Sequence, residues 1–168
     1  AIVNFVPILL DQLEDYAEQF VSGQVRDPLL RLLITPDLDQ ISTQDRLRVF
    51  DSCFLSNHKT MLQPYPVYNR LHELYNILNK RGETELIYFS GQYLSDLLVW
   101  YHLAWTGESV RRSNEVVMTL MAQNEGFSHA DRMQLFNLIG DLIQGLIPRY
   151  RKLAESGQIE LSTTPHYH

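Results

Sequence analysis

The spacing of apolar residues divides the chain into a strand, a long run of helices and a second strand. Ala1 to Val6 (AIVNFV) is β-branched and aromatic and is punctuated by Pro7, which predicts a short strand. From Ile8 the period changes. Leu9, Leu10, Leu13, Tyr16, Ala17 and Phe20 recur at intervals of three and four, the mark of an amphipathic helix, and Ser22-Gly23 closes it. Pro28 can open a helix carrying Leu29, Leu30, Leu32 and Leu33. Ser42 or Thr43 can cap the next, with Asp45 in its first turn and Val49, Phe50 and Phe54 behind. Gln63-Pro64-Tyr65-Pro66 breaks the run, because each proline removes a donor and restricts its predecessor.

A further helix carries Tyr68, Leu71, Leu74, Tyr75 and Leu78 and stops at Lys80-Arg81-Gly82. Ser90 opens another, apolar over much of its girth from Leu94 to Trp105, which predicts a central position. Glu108 to Glu125 reads as one helix ended by Gly126. Ser128-His129-Ala130-Asp131 then has capping-box spacing, with Asp in place of Glu. The helix it starts runs to about Ser156, with a kink expected at Pro148. Gln158 to Ser162 alternates and reads as a strand.

The expected fold class is therefore mainly α: a bundle of about six helices flanked by two short strands. Two strands alone make a marginal sheet. The simpler expectation is that both belong to a larger parallel sheet, with the helices inserted in one crossover connection. The expected organisation is one segment, 1–168. Residues 1–22 form a strand and helix, 23–156 a helical insertion, and 157–168 a strand and loop. The apolar start and the aromatic end read as cut from a longer chain.

Composition narrows the function classes. The chain has 168 residues, 45% of them hydrophobic, with 14 Lys+Arg against 20 Asp+Glu and a net charge of −6, so no general nucleic-acid footprint is expected. No apolar run approaches the ~20 residues that cross a bilayer, and no membrane partner is expected. Cys53 is the single cysteine, which excludes an internal disulfide and a multi-Cys zinc site and fits a cytoplasmic setting.

Three groups of residues are candidates for chemistry. Asp96 lies in the most apolar helix near Trp100, and a buried carboxylate needs partners. It either lines a cleft or holds structure by hydrogen bonds. His166 and His168 share a face in an extended segment that follows the last strand. In parallel sheets that end is where ligands bind, so substrate contact is one reading and a plain terminal loop the other. Trp100 and Trp105 offer rings that stack on sugars or fill a core. No phosphate loop or nucleophile elbow occurs, and neither a metal site nor a cofactor is expected.

Several stretches resemble glycoside hydrolase family 57. FVPILLDQLEDY is similar to that family's second strand and following helix. Val3-Asn4-Phe5-Val6-Pro7 keeps its Asn and Pro, with Val3 in the usual Phe position. FLSNHKTMLQPYPVYNRLHELY, FSGQYLSDLLVWYHLAWTG and IPRYRKLAESGQIELSTTPHYH extend the similarity along the chain. The resemblance implies an incomplete parallel (β/α)7 barrel that hydrolyses or transfers α-1,4-glucans by a retaining mechanism, with a Glu nucleophile and an Asp acid/base.

The family's second motif matches Gly157 to His168, and His168 stands at its substrate-facing histidine. Its His-Gln-Pro motif is expected before Ala1, and its Glu and Asp motifs after His168. No catalytic residue is therefore assigned, and the segment alone is expected to be inactive. His168, His166, Trp100, Trp105, Asp96 and Asn4 are the expected glucan contacts. An amylase, a glucanotransferase and a branching enzyme remain open as the parent. Exposed strand edges would allow a homodimer. The rival reading is a freestanding all-α interaction module presenting a groove to a partner.

Overall fold

A computed structural model describes residues 2–5, 7–54, 61–155 and 160–163. The chain is mainly helical. The elements in order are β1 (Ile2–Phe5), α1 (Pro7–Ser22), α2 (Pro28–Ile34), α3 (Thr43–Cys53), α4 (Pro66–Asn79), a 3-10 helix (Glu83–Tyr88), α5 (Gly91–Trp105), α6 (Glu108–Ser113), α7 (Glu115–Gln123), α8 (His129–Glu155) and β2 (Glu160–Thr163).

The expected fold class needs correction. The described residues form eight α-helices rather than about six. The strands are four residues each and pair with one another in a two-stranded parallel sheet, Ile2 opposite Glu160 and Asn4 opposite Ser162. They are not seen as members of a seven-stranded barrel, and the described fold is helical apart from this one pair.

The added helices have local causes. The stretch expected as one helix from Glu108 to Glu125 is two, because Asn114 takes an extended conformation (φ −91°, ψ 120°). Its backbone N–H closes α6 on Val110 O, and its side chain accepts from Val117 N to start α7. Asn suits the start of α7 because its short side-chain carbonyl reaches the first free N–H groups of a helix. Pro148 lies inside α8 without ending it.

The chain forms two compact units, Ala1–Arg26 with Asn137–His168, and Asp27–Phe136. In the first unit, α1 and the C-terminal part of α8 meet at a glycine. A Cβ on Gly140 would lie 2.6 Å from Cδ1 and 2.9 Å from Cγ of Phe20. Those atoms are at the root of the ring and cannot swing aside cheaply. Gly140→Ala is therefore expected to destabilise by about 2 kcal/mol through overpacking, despite the better helix propensity of alanine. Chemical denaturation checks this, and an alanine variant as stable as the parent would show that Phe20 yields.

The second unit is organised around α5. Leu94, Leu97, Leu98, Val99 and Leu103 are fully buried, as the all-round apolar pattern requires. Phe50 of α3 packs its ring 5.1 Å from Tyr75, 5.2 Å from Phe89 and 6.2 Å from Tyr93. Tyr68 and Tyr93 bury their rings and hand their hydroxyls to Cys53 O and Leu71 O, which satisfies the polar ends of two large side chains. Cys53 itself is buried, and burial pushes its thiol far above the usual range, so it is an inert core residue.

Candidate functional site

The polar residues of α5 share one stripe. Gln92, Ser95, Asp96 and Trp100 are spaced by three, one and four, which places them on a single helix face. All four grip the segment 124–127. Phe127 N donates to Asp96 Oδ1 (2.9 Å), and Gly126 N donates to Asp96 Oδ2 (3.2 Å). Gln92 Nε2 donates to Asp96 Oδ1 (2.9 Å) and to Phe127 O (3.2 Å), and Ser95 Oγ donates to the same carbonyl (2.7 Å). Trp100 Nε1 donates to Asn124 O (2.8 Å). The grip holds Asn124 at a positive φ of 76°, which a non-glycine residue seldom adopts, while Gly126 takes φ 74° freely.

Asp96 is 8% exposed. Burial pushes its carboxyl up, while the N–H groups of Phe127 and Gly126 and the Gln92 amide pull it down, and burial wins. His102, six residues further along the helix, has its ring against Leu98 O at 2.7 Å, and burial pulls it down, toward the neutral imidazole.

The N-terminus of α5 is held just as closely. Ser90 caps it by accepting from Tyr93 N (3.2 Å). Gly91 N donates to Asp39 Oδ1 (2.6 Å). The approach requires glycine, since a Cβ there would sit 2.8 Å from Asp39 N. Buried Arg46 donates to Phe89 O (2.6 Å) and Asp39 O (2.9 Å), pinning both sides of that contact.

The second buried cation is Arg132 of α8, 3% exposed. Its Nη1 donates to Leu32 O (3.1 Å), Leu33 O (3.1 Å) and Thr35 O (2.6 Å), and its Nη2 to Pro36 O (3.2 Å). His129 Nε2 lies 2.9 Å from Ile34 O. Together they satisfy the C-terminal carbonyls of α2, where a cation also complements the helix dipole. Beside them lies a cleft of about 190 Å3, whose walls include Asp37, Asp39, Gln92, Ser95, His129 and Arg132.

The structure brings Asp96 and Trp100 together and leaves Trp105 apart. Trp100 is 3% exposed, with its ring 5.4 Å from that of Tyr65. Trp105, at the C-terminal end of the same helix, is 61% exposed, with the half-buried ring of Tyr101 edge-on at 6.3 Å. Asn4 is in β1, opposite Ser162. His166 and His168 lie outside the described residues.

Arg132 and Arg46 were not among the sequence candidates. Arg132 had a signal: it shares the helix face of Leu135 and Phe136, at i+3 and i+4, where a lone cation is out of pattern. Among the described residues no group of three or more His, Cys, Asp or Glu is placed to hold a metal ion, and no helix is long and apolar enough to cross a membrane.

In comparisons with known proteins, the family model for glycosyl hydrolase family 57 matches residues 12–168. No curated protein and no solved structure matches the chain.

Proposed function

The chain belongs to glycosyl hydrolase family 57, and from that premise we propose that it contributes the substrate-binding surface for retaining hydrolysis or transfer of α-1,4-glucans. The family match over residues 12–168 carries this reading. Among the sequence candidates with described side chains, Trp105 suits substrate contact best. Its ring is exposed, and an exposed indole offers a flat apolar face to a pyranose ring. Trp100 and Asp96 serve instead as positioning residues, because their polar atoms are occupied by Asn124, Gly126, Phe127 and Gln92. For the same reason Asp96 is given neither the nucleophile's nor the acid/base role, and no other residue of the chain is assigned one. His168 is proposed to face the substrate, as the family's second motif implies.

Native electrophoresis through gels containing amylose tests the surface. The chain is expected to be retarded, and Trp105→Ala to weaken the retardation about fivefold, the loss of one ring's stacking. In an active enzyme containing this sequence, His168→Ala is expected to lower kcat/KM on amylose about tenfold. Equal mobility of the parent chain with and without amylose would remove the glucan assignment, and unchanged kinetics would remove the role of His168.

A further inference from the structure

We draw no further inference here: the strongest candidate, the surface patch of exposed apolar side chains on α4 (Leu74, Ile77) and on the 3-10 helix that follows it (Ile87, Tyr88), carries nothing because nothing in the structure shows what covers it.

Discussion

Asp96→Ala is expected to destabilise the Asp27–Phe136 unit by about 3 kcal/mol, lowering its melting temperature by about 10 °C. The carboxylate accepts from two backbone N–H groups, and the Phe127 N–H is buried. Alanine offers those donors nothing, and each lost charge-assisted hydrogen bond costs about 1.5 kcal/mol or more. Strain adds to the loss, since Asn124, a non-glycine residue, is held at φ 76°. Hydrogen exchange locates the effect. The N–H groups of Gly126 and Phe127 are expected to lose protection before those of α5. A loss below about 1 kcal/mol would mean that Ser95, Gln92 and Trp100 hold the segment without the carboxylate.

The same residue has a pH signature. Burial raises the Asp96 pKa above its ordinary value of 3.8 in the folded chain. The native state therefore binds the proton more tightly than the unfolded state over the window from 3.8 up to the raised value. Stability from this site is full below that window and declines as pH rises through it. Asp96→Asn does not titrate. The stability of the parent minus that of Asp96→Asn is therefore expected to fall as pH rises from about 4. A difference that rises with pH would reverse the balance between burial and the N–H donors.

How far the site was legible follows from the range of its interactions. Helix starts were readable because they are local: Ser42 and Ser90 each accept from an N–H three residues on, and Ser128 does the same to Asp131 N. The central place of α5 was readable from its apolar girth. That Asp96 and Trp100 stood out was readable too, since polar groups in such a helix need partners. The partners themselves were not. They lie 24 to 31 residues away, in a segment whose positive φ values carry no periodic signal. The helix count failed at Asn114, where a cap residue inside an apolar run was read as part of one helix. The barrel came from the family resemblance, and among the described residues one parallel pair of strands is all that is seen; strand periodicity reveals that a strand exists and is silent on how many neighbours it has.

Arg132 is the farthest-reaching case. Its carbonyl partners lie 96 to 100 residues back in the chain, so no local pattern pairs α8 with the end of α2. Arg132→Met tests what that pairing contributes. Methionine keeps a flexible stem of similar length, removes the charge, and leaves the carbonyls of Leu32, Leu33, Thr35 and Pro36 without their donor. Two effects oppose each other. Removing a buried cation that has no carboxylate partner among the described residues recovers part of its desolvation cost. Stranding four acceptors, two of them on fully buried leucines, costs more, because each would have to find water in a packed interior. The net expectation is a loss of about 3 kcal/mol, with α2 the first helix to lose exchange protection. Arg132→Lys, which retains a cation with three donors for the same carbonyls, is expected to lose about half as much. Equal losses for Met and Lys would mean that the planar fork of the guanidinium, rather than its charge, holds the end of α2. A methionine variant more stable than the parent would mean that desolvation of the cation outweighs all four of its hydrogen bonds.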